Sequence, residues 1–523
     1  MALTDTRPST DDGTAVADAP AGPTQIEELI GSGDHLTAGR LYIGFGLLFL
    51  ALASLGLVLS GIDGLDEDGL IGLPDALWSS SLAGFVLMGA LPVLLGLAVF
   101  IVPRQVGSPA IAFPRAAAAS VWTWIVAAVI FCIGVAMDGG VSGVDLEGAR
   151  LSSLSMGAMM VALSLGSVCV ATTVLSHRPI GMGLSKVPFF SWSMLVAAPV
   201  WILTFGSTVA HVFLGQISQA NAAGLAEGYA TGVAWFLRAP SAYMLAIPVL
   251  GIAADVVAKT AGRRIGHQGL VQGLIAAYAV ASFGAWTQRP GALQTFVWVF
   301  WVLLAAVPAI GLLAVLGDTL RRGKLSASTA LIGSVLAFLL VLGGVLAALL
   351  QGLDTAGSGE LFGFDTMGLE LAQGYFLFGA ALVGALAGLS HWSRRLFSAP
   401  AAEGSGKGAV TAALLGSGLL ATTYLVEGLA GANDQSLSTE VIAALVAVGG
   451  FLVFLAALGG LAMTLAAARA GSPAPDADDD TGLTLEWAPA GPVVSGVEQE
   501  LAYVNSPYPL LDLRGGDDDE ERA

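Results

Sequence analysis

Histidine and cysteine are both scarce in this chain of 523 residues, which contains five histidines and two cysteines. Both cysteines, Cys132 and Cys169, lie inside long apolar stretches, where a free thiol usually behaves as a small hydrophobic side chain. Two such residues exclude a disulfide framework and a multi-thiolate metal site. Five histidines also limit the number of metal ions that the chain can bind through imidazole, the commonest metal ligand.

Charge is scarce as well, because only 11% of the residues are charged whereas 55% are apolar. This composition excludes an ordinary soluble domain and is typical of a polytopic membrane protein. The sequence contains no Gly-rich phosphate loop, nucleotide fingerprint or basic aromatic surface, so we expect no nucleic-acid partner. The first forty residues lack a basic start followed by an apolar stretch, so we expect no cleaved signal peptide.

Long apolar runs are abundant. Crossing a hydrocarbon core of about 30 Å requires roughly 20 helical residues, because each backbone amide must be paired within its own segment. The sequence therefore predicts an all-α integral membrane protein with twelve transmembrane helices. The predicted spans lie at 41–62, 77–102, 117–138, 151–176, 189–215, 229–257, 268–288, 294–317, 326–352, 368–392, 408–432 and 440–468.

The basic residues predict the orientation, because Lys and Arg favour the cytoplasmic side of short loops. All but three of the 21 Lys and Arg residues fall on one side if both termini are cytoplasmic. The three exceptions are Arg150, Arg238 and Arg289. We therefore expect a multi-pass protein of the cell's inner (plasma) membrane with both termini in the cytoplasm.

One membrane domain, residues 40–470, lies between two acidic tails, residues 1–39 and 471–523, which we expect to be cytoplasmic. The net charge is −18, and 20 of the 39 acidic residues lie in these tails. The negative charge is therefore concentrated in the solvated ends of the chain and not in its membrane domain. We expect the N-terminal tail and the acidic runs at 478–480 and 517–521 to be disordered, with contact to a basic partner subunit as the alternative.

Several motifs occur in the order known from one family. They are VPRQVGSPAIAFPR at 102–115, GMGLSKVPFFSWSMLV at 181–196, RAPSAYMLAIPVLGI at 238–252, the His391-Trp392 pair, and TLEW at 484–487 in the C-terminal tail. They extend from residue 102 to residue 487. The chain resembles subunit I of the haem-copper oxidases, the cytochrome c and quinol oxidases. The resemblance implies a twelve-helix bundle in the respiratory chain and, for an active member, two haems and a copper ion held by six histidines.

The positions of those histidines carry other residues when the chain is aligned on the retained prolines and aromatic residues. The replacements are Ser81 in span 2, Ala239 in span 6, Gln288 and Arg289 at the external end of span 7, and Ala372 and Gly374 in span 10. Imidazole nitrogens are the axial ligands that bind iron and copper firmly. The resemblance therefore predicts the scaffold of an oxidase without its metal ligands, and we expect neither haem nor copper.

Some polar residues remain within or near the spans. An intramembrane Arg is costly unless it is paired, so Arg238 is a functional candidate, with Glu370 or Glu427 as its counter-charge. We interpret the pairing as structural, with a ligand or ion site as the alternative. Arg289 lies at the external end of its span and can reach water.

Three further residues are candidates because of their family positions. His211 is the one imidazole expected deep in the external half of the bundle, and we interpret it as a hydrogen-bonded core histidine in preference to a haem ligand. Tyr243 matches the family's tyrosine, although its partner histidine is absent. Asp365 matches the carboxylate of an external magnesium site and is a weak metal candidate.

Three functions are compatible with these residues. The favoured one is a non-catalytic oxidase subunit I-like protein, a pseudoenzyme that serves a respiratory electron-transfer complex as a structural or assembly component. Its expected partners are other membrane subunits and lipids. The alternatives are a terminal oxidase subunit with unusual haem ligation, which would need His211, and an ion or proton transporter on the same scaffold.

Overall fold

The computed structural model describes residues 33–66, 69–141, 145–220, 233, 235–237, 240–287, 295–323, 325–355, 364–397, 399–430, 437–470, 482–488 and 504–513. Within these residues, twelve helices are long and apolar enough to cross a membrane. The prediction of an all-α protein with twelve transmembrane helices is therefore confirmed.

The twelve helices follow one another along the chain with short connections. We number them α1 His35–Asp63, α2 Ala76–Gln105, α3 Pro114–Ala136, α4 Leu146–Ser176, α5 Phe189–Ala220, α6 Pro240–Ala261, α7 Gln268–Ala281, α8 Thr295–Arg322, α9 Thr329–Thr355, α10 Thr366–Phe397, α11 Glu403–Ala430 and α12 Thr439–Ala470. Short 3₁₀ segments extend α7 over Ser282–Thr287 and form Leu184–Lys186 and Leu485–Trp487.

Three helices lie at the centre of the bundle. The most apolar stretches of α2 and α6 are 100% buried and that of α10 is 89% buried, whereas the corresponding values for the other nine spans range from 33% to 61%. Helices that follow one another in the chain pack together, α3 along α4, α9 along α10 and α11 along α12, and α12 returns to α1. The three central helices therefore supply most of the interior of the bundle.

Local capping explains why α1 begins earlier than the predicted start of its span at residue 41. Asp34 accepts hydrogen bonds from the backbone N–H groups of Leu36 and Thr37, at 3.1 and 3.0 Å, which satisfies donors that have no partner within the helix. Burial raises the pKa of the Asp34 carboxyl. The hydrogen bonds from the Thr37 hydroxyl and from these backbone N–H groups together lower that pKa by more, so its net shift is downward. The first turn, predicted to belong to the N-terminal tail, is therefore helical.

Glycine allows α1 and α2 to approach closely. A Cβ atom added to Gly39 would lie 2.8 Å from the Gly96 carbonyl oxygen, and one added to Gly96 would lie 2.7 Å from the Tyr42 Cβ. Such small side chains let helix backbones come together in lipid, where packing replaces the hydrophobic effect as the driving force for association.

Part of the C-terminal tail packs against the membrane domain. We call residues 482–488 and 504–513 the C-terminal segment. The Val504 N–H donates to the Ile180 carbonyl at 3.0 Å, and the Leu510 N–H donates to the Leu483 carbonyl at 3.2 Å. The segment lies at the ends of α2, α6 and α10 that carry Arg104, Lys259 and Arg395. Residues 1–32 and both acidic runs, 478–480 and 517–521, lie outside the described residues.

Candidate functional site

The first part of the candidate site lies between α2 and α10, which carry three of the six former ligand positions. Ser81 is 5% exposed, and its hydroxyl donates to the Trp78 carbonyl at 2.8 Å. Ala372 is fully buried on α10. A Cβ atom added to Gly374 would lie 3.4 Å from the Leu82 side chain, so Leu82 occupies the space in front of Gly374.

Aromatic rings fill the neighbouring interior. Phe85 of α2 stacks on Phe378 of α10 with ring centroids 4.7 Å apart and an interplanar angle of 25°. Tyr375 meets the Phe85 ring edge-on at 6.4 Å and stacks on Tyr424 of α11 at 5.4 Å, with the planes only 5° apart. All four rings are buried. The interface between α2 and α10 is therefore a packed aromatic core.

The backbone of α2 is not a regular α-helix at this level. Gly84–Ala90 is a π-helical stretch, one turn after Ser81, and Pro92 follows it. The Trp124 indole of α3 donates to the Leu87 carbonyl at 2.9 Å within this stretch. A π-helical turn widens the helix locally and frequently accompanies a functional position. Here it lies beside the position of a former haem ligand.

Tyrosines occupy the part of the interior formed by α6 and α7. Tyr243 is 2% exposed, and its ring lies 6.0 Å from that of Tyr278. The Tyr278 hydroxyl is buried and has no hydrogen-bond partner among the residues that the structure describes. The Ser241 hydroxyl donates to the Leu237 carbonyl, four residues earlier, at 2.6 Å. This hydroxyl is therefore engaged with the local backbone.

His211 lies near the end of α5 and is only half-buried. Its Nδ1 is 2.8 Å from the Ser207 carbonyl oxygen one turn earlier, and the neighbouring Phe213 and Leu214 are 56% and 62% exposed. The imidazole therefore lies at the edge of the bundle. The sequence had led us to expect a position deep within it. Its Nδ1 contact is with its own helix.

The structure describes both carboxylates that were predicted to pair with Arg238, Glu370 and Glu427. Glu427 of α11 accepts a hydrogen bond from the Leu437 N–H at 2.9 Å, and Glu370 is half-buried on α10. Four sequence-predicted positions, Arg238, Ala239, Gln288 and Arg289, lie outside the described residues. The pairing of Arg238 with either glutamate therefore remains a prediction.

Asp365 caps the start of α10. Its carboxylate accepts hydrogen bonds from the Met367 and Gly368 N–H groups at 3.1 and 2.9 Å, and its own N–H donates to the Gly428 carbonyl at 2.8 Å. Within the described part of the chain, no group of three or more His, Cys, Asp or Glu side chains is placed to hold a metal ion. The magnesium role suggested for Asp365 remains a prediction.

A second polar cluster, which the sequence did not reveal, lies at the opposite ends of the inner helices. Gln105 closes α2, Asp255 lies in the last two turns of α6, and Glu486 belongs to the C-terminal segment; their exposed fractions are 0%, 8% and 3%. The available signals were the single acidic residue in the apolar span of α6 and the retained TLEW motif. Neither signal indicates that the two carboxylates meet.

The fold and its site define a class, a twelve-helix membrane protein whose interior is built from α2, α6 and α10. The family model described as "Cytochrome C and Quinol oxidase polypeptide I" matches residues 81–462. The chain therefore belongs to this haem-copper oxidase subunit I family.

Relatives and a solved structure agree with this assignment. Cytochrome c oxidase subunit 1 of Corynebacterium glutamicum is 26% identical over 403 residues, which cover 69% of this chain and 65% of the relative. Quinol oxidase subunit 1 of Bacillus subtilis is 24% identical over 402 residues, covering 69% and 61%. The chain thus spans less than two thirds of the length of either relative. A solved heme-copper terminal oxidase dimer has a chain of the same fold, with a TM-score of 0.62, 10% identity, and coverage of 85% of this chain and 84% of that one.

Proposed function

We propose that this chain is a subunit of a membrane respiratory complex that keeps the oxidase subunit I scaffold without reducing oxygen at a haem-copper centre. The observation that carries the proposal is the chemistry at the former ligand positions of α2 and α10. Ser81, Ala372 and Gly374 offer a hydroxyl group, a methyl group and a hydrogen atom there. Leu82 and the stacked rings of Phe85 and Phe378 occupy the neighbouring interior.

These residues do not fit a haem. Axial ligation needs a nitrogen, sulfur or oxygen donor directed at the iron, and Ala372 and Gly374 have no donor atom in their side chains. The Ser81 hydroxyl donates to a backbone carbonyl, and His211 contacts its own helix at the edge of the bundle. The other former ligand positions, Ala239, Gln288 and Arg289, carry no imidazole in the sequence. No step of the proposed role passes through iron or copper.

The proposed role is structural support or assembly within a complex of several membrane subunits, in the plasma membrane and with both termini in the cytoplasm. The names of the curated relatives identify them as numbered subunits of oxidases. The outer helices α8 and α12 are the least buried of the twelve spans, with 33% and 39% of their most apolar stretches covered by this chain. We propose that lipids and partner subunits cover these faces.

An optical spectrum tests the absence of haem. We expect the purified full-length protein to show no stoichiometric haem absorbance after reduction, no stoichiometric copper or iron by elemental analysis, and no oxygen consumption of its own. A related oxidase subunit I complex, purified in the same detergent, is the positive control. Stoichiometric haem, lost in a His211→Ala variant that still folds, would instead support an oxidase with unusual ligation.

Co-purification tests the role in a complex. An affinity-tagged chain, extracted from its native membrane in a mild detergent, should bring down other respiratory subunits in fixed stoichiometry. A chain that purifies alone from native membranes, at normal abundance, would contradict the proposed role. The spectral and the co-purification results are independent, so either half of the proposal can fail without the other.

A further inference from the structure

The polar cluster at the ends of α2 and α6 contains two buried carboxylates that face one amide. The Gln105 Nε2 donates to Asp255 Oδ2 at 2.8 Å and to Glu486 Oε1 at 3.1 Å. The other end of the same amide is fixed, because Gln105 Oε1 accepts hydrogen bonds from the Ser191 N–H at 3.1 Å and the Ser191 hydroxyl at 2.6 Å. Gln105 therefore presents donors to both acidic side chains at once.

Asp255 has the hydrogen bonds that a carboxylate anion requires. Besides the Gln105 amide, its Oδ1 accepts the Phe189 N–H and its Oδ2 accepts the Phe190 N–H, both at 3.1 Å. These two N–H groups belong to the first turn of α5, where they have no partner within the helix and where the helix dipole favours negative charge. The site is thus built to hold one negative charge on Asp255.

Glu486 lacks a comparable set of donors. Its Oε1 shares the Gln105 amide with Asp255, and the Trp392 indole Nε1 lies at 3.4 Å, a long contact. Its Oε2 is buried and has no hydrogen-bond partner within the described ranges of the chain. An ionised carboxylate oxygen buried without a donor, next to a second carboxylate, is strongly disfavoured, and protonation removes that cost.

We propose that Asp255 and Glu486 together bind one proton, and that this bound proton allows the C-terminal segment to close the end of the helix bundle. One proton shared by the pair leaves a single negative charge in the site, which the Gln105 amide and the α5 N–H groups stabilise. The proton belongs to the pair, because two carboxylates that interact this closely titrate together.

Several other charged and titratable side chains near the pair contact Trp487, the residue after Glu486. The Lys259 ammonium of α6 lies 3.1 Å from the centroid of the Trp487 ring, and Arg395 of α10 donates to the Trp487 carbonyl. The His391 ring meets the Trp487 ring edge-on at 5.4 Å. These contacts help to hold the segment.

Two more charged or titratable groups, Arg104 and Tyr508, lie near the pair. Arg104 of α2 donates to the Arg395 carbonyl at 3.0 Å. Tyr508 of the C-terminal segment is 3% exposed, and burial raises the pKa of its phenol well above the ordinary value, so it stays neutral over the pH range of the test. His391 is therefore the neighbouring group that can titrate near neutral pH, and it needs a control.

Proton uptake makes docking of the segment depend on pH. When the segment is released, the two carboxylates separate and no longer need a shared proton, whereas the docked pair retains one proton. Docking then takes up about one proton, and the docking equilibrium weakens by up to about tenfold for each unit rise in pH while the docked pair keeps that proton. Raising the pH should therefore release the segment.

Cysteine labelling of the full-length protein measures this equilibrium. Val504 is 2% exposed and Asn505 is exposed, so Val504→Cys reports release of the segment and Asn505→Cys is the matched accessible control. Both are made in a background in which Cys132 and Cys169 are replaced by Ala. The ratio of the two maleimide rates, taken from about pH 5 to about pH 9, cancels most of the intrinsic pH dependence of the thiol.

We expect the ratio to rise with pH in the parent background, to stay low and nearly flat in Glu486→Gln, which mimics the protonated acid, and to be high at every pH in Glu486→Ala. A His391→Phe variant should keep the pH dependence. A flat ratio in the parent background would overturn the proposal, and so would release of the segment in Glu486→Gln. Loss of the pH dependence in His391→Phe alone would assign the effect to the histidine and refute the carboxylate site.

Discussion

At the residue scale, the space left by a neighbouring helix decides which side chains the scaffold accepts. Gly39 and Gly96 bring the backbones of α1 and α2 together, and Leu82 fills the volume in front of Gly374. The sequence did not indicate these particular pairs, because they depend on the rotation of each helix about its axis. A fully buried helix such as α2 has no polar face from which the sequence could indicate that rotation.

A pair of glycine substitutions on α1 tests the close approach to α2. Gly39→Ala should destabilise the protein, because the added Cβ would lie 2.8 Å from the Gly96 carbonyl oxygen, and overpacking of this kind costs about 1–3 kcal/mol. Gly44→Ala, on the same helix with no atom within 4 Å of the added Cβ, should be neutral or slightly stabilising. Thermal unfolding in detergent, followed by size-exclusion chromatography, measures both. Equal stability of the two variants would contradict the packing described here.

Pairing between distant residues explains why the acidic cluster was missed from the sequence. Gln105 and Glu486 lie 381 residues apart, and the donors to Asp255 come from the first turn of a different helix. TLEW was recognised as a motif, and Asp255 stood in a predicted span, but no local pattern relates the two. By contrast, the cap at Asp365 depends on residues two and three positions later, so its signal is local.

At the element scale, the apolar runs predicted the helices well because each run is long enough to cross a bilayer and polar loops separate it from the next. All twelve predicted spans have a corresponding helix. The π-helical stretch Gly84–Ala90 could not be predicted, because it changes the hydrogen-bond register without changing the hydrophobicity of the run. The Trp124 indole of α3 contacts this stretch, and this contact becomes visible only when the two helices are packed.

Substitution of a single tryptophan tests how far α3 supports that π-helical stretch. Trp124→Phe removes the donor to the Leu87 carbonyl from a fully buried position, so stability should fall by about 1–3 kcal/mol. Trp122→Phe, two residues earlier on α3 at a half-buried position, should have a much smaller effect. Thermal unfolding of the two variants under identical conditions provides the measurement. A larger loss in Trp122→Phe would show that the indole bond does not stabilise the α2 backbone.

At the scale of the whole molecule, the charge pattern predicts one orientation in the membrane. The ends of α2, α6 and α10 that carry Arg104, Lys259 and Arg395 meet at one side, where the C-terminal segment also lies. The positive-inside rule predicts that this side is cytoplasmic.

Reporter fusions test the orientation. Green fluorescent protein fused after residue 523 should fluoresce, and alkaline phosphatase at the same point should be inactive, because the first reporter folds in the cytoplasm and the second requires an oxidising compartment. The same pair of reporters, placed between α1 and α2 after truncation, should give the opposite result. Alkaline phosphatase activity at the C-terminus would reverse the predicted orientation.

The enclosure of α10 by its neighbours has a consequence for biogenesis. This helix carries Glu370 and Gln373 within its length, yet 89% of its most apolar stretch is covered by the folded protein. During insertion, before those neighbours are in place, the same polar groups would face lipid at the exit of the translocon. The adjoining hairpin partners α9 and α11, which pack along α10, would therefore have to leave the insertion machinery together with it, as one cooperative unit.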